Sequence, residues 1–539
     1  MRTLFLAATL LLFVSACSGN SDSKTDTAAD QSSLDSSSTD LASDSKDSTD
    51  PLDLNAPDVP QDVLQTPYPM GFEERGFQEL RGVVHLHSAF SHDGCAPDGF
   101  EDFGGPDPAC NQMLRDAACT SGMSFLMMSD HPGHLREFPY EEGIHYSEAD
   151  GDELLLDDQE RPFSNRMHCP EGSAVDTVLF YYGTEGFKFM PIAMAGPVPP
   201  EVFSTGYQDE VPLEEVQAVV ATTHELGGFA WGVHTEESTI SEQRIVEIPL
   251  DGMEIYNLHS NLMEALKSLD DLFTVNFFMD PTPGSPNPDL ALLLFLQPVS
   301  EDQRKYDYAI ARTNIACAVA TDIHQNVEIP SICPDGAGPG SLCEPFVEEY
   351  PYFTEILITG GPAFLSDGDR MDSWKRSFRW FSNHAIVLED TPEAIRASIG
   401  SGQSYSVFEM FGMPGHFDFH GATETEVFEM GTEHAYAEGQ TLRIMTPTLE
   451  VTPWWEEGVI DPSQGIVTTR LIRATVDGAE VMGEWEGQGK YIEVEVPGPG
   501  AYRVEVDVTP KHLIPMLSGV IYLASKPYPY IYTNTVFLR

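Results

Sequence analysis

The chain repeats one arrangement: a capped amphipathic helix, a glycine stop, a short apolar strand, and then a histidine or carboxylate. "DPACNQMLRDAACTSGM" places Asp107 to cap, Pro108 at the first helical position and Gly122 as the stop before "SFLMMSDH". "VPLEEVQAVVATTHELGG" does the same: Pro212 opens it, Leu213, Val216, Val220 and Thr223 mark one face, and Gly227 and Gly228 end it ahead of "FAWGVH". "TVLFYYGTE" and "NIACAVATDIH" are further apolar strands that end in His or carboxylates. This order of elements belongs to a parallel α/β barrel or sheet, in which the carboxyl ends of the strands make one face for a site. Five strand ends on that face carry groups able to bind metal.

In chain order the groups are His85, His87 and Asp93 (or its neighbour His92) in "HLHSAFSHDG", His131 in "MMSDHPGH", Glu185 in "YYGTEG", His234 in "WGVHTEE", and Asp322 with His324 in "VATDIHQN". In an extended strand residues i and i+2 point the same way, so His85 with His87, and Asp322 with His324, are expected to present two ligands to one face. Imidazole and carboxylate together suit zinc, manganese or iron, and carboxylates able to bridge favour a multinuclear site. Any one of these histidines alone is more readily a structural group, but eight ligands recurring at strand ends make a metal site. His134, His224, His259, His384, His416 and His420 are read as structural.

These motifs carry a resemblance. "HLHSAFSHDG", "SDHPGH", "GTEG", "ELGGFAWGVHTEE" and "ATDIH" resemble, in order, the motifs of the polymerase and histidinol phosphatase (PHP) superfamily, over roughly residues 80 to 400. The resemblance implies a distorted (β/α)7 barrel whose C-terminal face holds up to three metals and hydrolyses phosphoesters with a hydroxide bridging them. It implies that His85, His87, Glu185 and Asp322 hold one metal and the attacking water, that Asp93, His131 and His324 hold another, and that Glu185 and His234 share a third. In this comparison Asp93 is preferred to His92. The segment "FRWFSNHAIVLEDTPEAIRASIGSGQSY" with a β-rich tail resembles the region after the barrel in exported members.

The chain departs from that pattern at one important place. Members with three metals usually have a histidine soon after the GxE glutamate, whereas Glu185 is succeeded by "GFKFMPIAMAG". Two metals are therefore expected, with at most a weak third. Thr235 stands where the family often has proline. Arg161 and Arg166 in "DDQERPFSNRMHCP" are weak candidates for phosphate contacts, more readily ordinary loop residues. The main expectation is a metal-dependent hydrolase, most readily a phosphoesterase, acting on a small-molecule or phosphorylated substrate. The alternatives are hydrolysis of C–N or C–O bonds, since a metal-activated water also attacks carbonyls, and a non-catalytic metal- or ligand-binding protein.

Composition sets the surroundings. "MRTLFLAATLLLFVSAC" has a basic start, an apolar run too short to span a bilayer, and small residues before Cys17. "VSAC" resembles the bacterial lipobox, which implies cleavage before Cys17 and lipid on its thiol; Ser18 after it leans toward the outer membrane. Residues 1–17 are thus expected to be a signal peptide, and the anchor at Cys17 the sole membrane contact of a cell-envelope lipoprotein.

Residues 18–66 hold eleven Asp against two Lys and almost no large apolar groups, so they read as a disordered tether. A coil of that length spans roughly 40 Å. Of the net charge of −58, the tether carries −9 and Arg2 +1, which leaves −50 on residues 67–539. So acidic a surface argues against a nucleic-acid polymer as partner and requires local cations to draw in an anionic substrate. Nothing in the sequence sets an oligomeric state.

Of eight cysteines, Cys317 in "IACAVA" reads as a buried free thiol, and Cys95, Cys110, Cys119, Cys169, Cys333 and Cys343 as disulfide-forming, with Cys333–Cys343 the easiest pair. Residues 72–405 are expected to form the barrel. Residues 406–539, where "KYIEVEVPGPGAYRVEVDV" alternates with period two, are expected to form an antiparallel β-sandwich.

Overall fold

Short apolar runs with both faces buried lie at the centre of the molecule. The structure is a computed structural model that describes residues 71–95, 105–186, 188–197, 206–258, 261, 269–329, 331–455 and 458–539. Cys17, the tether and His259 fall outside them. The elements that position the site are β1 (Gln78–Leu86), α1 (Pro108–Ser121), β2 (Phe125–Met127), β3 (Glu153–Leu156), β4 (Pro162–His168), β5 (Thr177–Tyr181), β6 (Phe189–Ile192), α2 (Leu213–Glu225), β7 (Phe229–Gly232), β8 (Gly252–Asn257), α3 (Ser300–Ile310), β9 (Ala316–Ile323), α4 (Trp374–Trp380), β10 (Ser382–Val387), α5 (Pro392–Ser401) and β11 (Ser404–Val407). In β1, Val83 belongs to one core cluster with Leu114 of α1, Leu126 and Phe180, while Val84 belongs to another with Met127, Trp231 and Ala318. Burial on both sides is what parallel strands require, and it explains the unbroken apolar runs.

β1 pairs in parallel with β2 on one side and with β9 on the other. β2 continues to β5, β9 to β8 and β8 to β7, all parallel. β6 runs antiparallel to β7 and meets the end of β5 through the Gly183–Ile192 bridge, so the pairings lead from β1 round to β1 again. The antiparallel β6 departs from the expected parallel order. The chain between Tyr181 and Phe189 is too short for a crossover of about a dozen residues, and it turns back on itself instead. The segment holding Arg161 and Arg166 is no plain loop either: β3 and β4 form an antiparallel hairpin laid against β5.

The helices obey their sequence signals with small corrections. Asp107 accepts from Ala109 N at 2.8 Å and Gly122 closes α1 in the left-handed region. The buried face of α2 is Val216, Val219, Val220 and Thr223. α5 runs past Gly400 to Ser401. Gly402 takes the left-handed cap, and Gly400 lies inside the helix, where a Cβ would sit 2.2 Å from the Phe229 ring. Cys95–Cys110, Cys119–Cys169 and Cys333–Cys343 are disulfides and Cys317 is a buried free thiol. Among the described residues no helix is long and apolar enough to cross a membrane.

Beyond β11 come β12 (Asp418–Ala422), β13 (Val427–Glu429), β14 (Thr441–Met445), β15 (Ile466–Thr475), β16 (Gly478–Glu486), β17 (Tyr491–Glu495), β18 (Gly500–Thr509), β19 (Tyr528–Thr533) and β20 (Val536–Leu538). β13, β12, β14 and β17 make a four-stranded antiparallel sheet. β16, β15, β18 and β19 make a second antiparallel run, and β19 pairs with β11, so this run continues the large mixed sheet. The Pro-Gly segment after β17 therefore carries the chain between sheets. The 405/406 boundary lies inside β11, and residues from Met70 to Arg539 form one compact unit. The polar positions of β18 are not left to water: Arg503 Nε reaches Asp307 Oδ1 of α3 at 2.7 Å, with Glu505 beside it.

Candidate metal centre

Three of the expected ligands sit in strained backbone. His85 has φ 65°, His234 φ 51° and Asp322 φ 48°, left-handed values that L-residues other than Asn and Asp rarely adopt and that cost about 1 kcal/mol or more at each of the two histidines. β1 is also irregular between Val84 and Leu86 where it pairs with β9. The pairs His85/His87 and Asp322/His324 therefore do not face the site by simple pleat alternation. A left-handed residue at each strand end turns the side chains inward.

His85 Nε2 and His87 Nε2 lie 3.2 Å apart. Asp322 Oδ1 is 3.2 Å from the first and 3.4 Å from the second, and Glu185 Oε2 is 3.6 Å from both. These four side chains gather their ligand atoms into one small space. A second convergence adjoins it: Asp93 Oδ2 stands 3.4 Å from both His131 Nε2 and His324 Nε2, and His87 stacks on His324 with ring centroids 3.7 Å apart. His87 thus belongs both to the first group and to a group with His131 and His324. His234 Nε2 is 3.2 Å from Glu185 Oε1 and 3.7 Å from Asp322 Oδ2, but it joins no group of three among the described residues. All eight expected side chains fall in one contiguous cluster.

The donor set fits divalent cations. Asp322 Oδ1 and His324 Nε2 are buried and make no well-aligned hydrogen bond, meeting the imidazoles of His85 and His87 and the carboxylate of Asp93, respectively. Burial works against charge on His85, yet Glu254 and Asp322 outweigh it and hold the imidazole well above its ordinary pKa. His131 shows the same pattern: burial opposes it, and Asp93 and Glu185 push it up to about 9. Burial above all, with the neighbouring imidazoles, pushes His87 down to about 3, so its ring is neutral with a lone pair to offer. A carboxylate-rich pocket that gathers protons in this way is one that a cation would fill in their stead.

No protein-family model matches the chain, and neither does any curated protein. Among solved structures, the chain is similar to a two-domain protein containing a predicted PHP-like metal-dependent phosphoesterase from Bacteroides vulgatus. The identity is 10%, over 85% of this chain and 96% of that one, with a TM-score of 0.27. A likeness that weak carries no chemistry, which rests on the side chains.

Around the cluster stand supports that the motifs did not disclose. Glu254 of β8 is buried, contacts His85 Nδ1 through Oε1, and accepts from His234 N at 3.2 Å through Oε2. It fixes which nitrogen of His85 faces the centre and ties two ligands to one strand. An acidic residue inside the apolar run "GMEIYN" was the signal for it. Replacing Glu254 with Gln is expected to weaken metal affinity about 10- to 100-fold, read by competition with a chelator. Asp130 accepts from Ser88 N at 2.6 Å and Ser88 Oγ at 2.9 Å, and burial pushes its carboxyl up to about 6. Ser91 Oγ stands 3.2 Å from His87 Nδ1 and accepts from His131 N at 3.1 Å. Thr235 Oγ1 is 2.6 Å from Asp302 Oδ1 and 3.0 Å from Glu254 O, so a hydroxyl anchors the turn after His234.

The remaining candidates are less central. His92 is half exposed and 4.0 Å from Asp93 Oδ1, at the rim, where it gathers with Asp93 and His131 into a third group able to hold a metal. Arg161 pairs with Asp157 at 2.8 Å and Arg166 with Glu153 at 2.5 Å. His224, His384 and His420 pair with Asp251, with Glu79 and Glu409, and with Asp418.

Proposed function

We propose that this chain is a metal-dependent hydrolase, most readily a phosphoesterase, built on a distorted (β/α)7 barrel and carried at the cell envelope on a lipid-anchored tether. The observation that carries the reading is the convergence of His85, His87, Glu185 and Asp322 on one point, with Asp322 Oδ1 buried between the two imidazoles. Divalent cations bound at such a point would acidify a water molecule and take up charge on the attacked group. His85, His87, Glu185 and Asp322 would hold one cation, and Asp93, His131 and His324 a second. The chain's own contribution is orientation: Glu254 sets the His85 ring, and Ser91 steadies His87 and the His131 backbone.

The test is a panel of aryl phosphates, phosphodiesters, esters and amides assayed with Mn²⁺ or Zn²⁺, alongside a metal count on the purified chain. About two ions per chain and turnover of phosphoesters are expected. Turnover confined to esters or amides would move the reading to C–O or C–N hydrolysis. A chain that took up no metal under any loading would end it.

A further inference from the structure

One corner of the cluster has carboxylates but a single histidine. Glu185 Oε1 and His234 Nε2 lie 3.2 Å apart, and Glu236 Oε1 comes within 3.6 Å of His234 Nδ1. Soon after Glu185 the chain carries a lysine, Lys188. It occupies the tight turn closed by the Gly186–Phe189 bridge, with its backbone left-handed at φ 69°. Glycine or asparagine ordinarily fills such a place, and a lysine there adds strain, with a side chain that is three-quarters buried. A strained non-glycine residue beside a functional centre points to a role for its side chain there.

Lys188 O accepts from Val233 N at 3.4 Å, which fastens the turn to the residue before His234. Its Nζ lies 3.0 Å from Glu237 Oε1. Burial opposes the ammonium's charge, but Glu237, Glu185 and Glu236 outweigh that effect and keep it charged. Glu237 is 36% exposed, so this is the exchangeable kind of surface pair that a stronger anion can displace.

We propose that Lys188 is an anion-binding residue of this centre, its ammonium receiving the anionic oxygens of a phosphoryl group. The inference rests on the hydrolase reading above and gives it a substrate class: a phosphoester that presents its charged oxygens toward Glu185 and His234.

The experiment is calorimetric titration of inorganic phosphate into the full chain loaded with Mn²⁺, with a metal count on every sample. Lys188→Gln and Lys188→Gly are expected to lose about tenfold or more in phosphate affinity with metal content unchanged, while Lys188→Arg keeps most of it. Lys188→Gly should also melt at a higher temperature, because glycine relieves the left-handed position. Phosphate binding equal to wild type in metal-replete Lys188→Gln overturns the inference, as does a metal-loaded wild type that ignores phosphate. Failure of the wild type to take up metal brings down the hydrolase reading itself, so the two failures are told apart.

Discussion

His87→Ala is expected to cut turnover by about a thousandfold or more and to lower the metal count by at least one ion per chain. The reason is position. Of the eight converging side chains, His87 alone belongs both to the group with His85, Glu185 and Asp322 and to the group with His131 and His324. Its Nε2 faces the Asp322 and Glu185 carboxylates, and its ring lies flat on His324. Alanine removes a neutral donor and leaves those carboxylates with less to meet them. The fold should tolerate the change, because the backbone carbonyl of His87 still accepts from Trp374 Nε1 at 3.2 Å. The measurements are metal analysis and turnover of the best substrate in the panel, with circular dichroism as the control for folding. A metal-replete variant with wild-type rates would mean that the reacting centre lies elsewhere.

The same residue shows what a sequence discloses and what it withholds. That His85, His87, Asp322 and His324 end apolar strands is legible, because both-face burial makes a run such as "NIACAVATDIH" stand out, and a polar group at its end has only the strand-end face to occupy. How they converge is not legible. The pleat rule promises the right pairs, but the means is a left-handed residue at His85 and at Asp322, and nothing in an HxH or DxH spacing announces a positive φ. Glu254 is hidden for a related reason: a single acid in an apolar strand is a signal only once something buried is known to need it. The mixed sheet fares likewise. Period-two alternation in residues 491–509 marks β17 and β18 correctly, yet it cannot say that they enter different sheets, because pairing partners far along the chain decide that. Nor does alternation reveal that the polar side of β18 meets α3 instead of water.

Glu409→Ala is expected to destabilise the chain by about 3–5 kcal/mol, the usual cost of removing one partner from a buried charged pair. Glu409 is fully buried just beyond β11. Its Oε1 accepts from Arg81 Nε of β1 at 2.6 Å and from Ser382 Oγ at 2.5 Å, and lies 3.0 Å from His384 Nε2 of β10. His384 in turn contacts Glu79 through Nδ1, and Tyr405 OH donates to the same Glu79 oxygen at 2.8 Å. The carboxylate thus ties the first strand of the large sheet to the segment that leads into the C-terminal strands, and alanine would take the carboxylate partner from Arg81 Nε and His384 Nε2. The pH dependence has a definite sign. Burial alone would raise the Glu409 carboxyl, but Arg81 and His384 outweigh it and hold it down to about 2, against 4.5 unfolded. A depressed carboxyl contributes stability that is present above pH 4.5 and is lost as pH falls toward 2. For His384, burial is outweighed by Glu79 and Glu409, and its pKa is raised. Its share is therefore full below about pH 6.5 and is lost as pH rises through the raised value. The cluster is strongest between those limits. Denaturant unfolding of wild type and Glu409→Gln from pH 2 to 8 checks this: the difference in stability should shrink steadily below pH 4.5. A difference that stayed constant down to pH 2 would mean that Glu409 is not ionised in the folded chain.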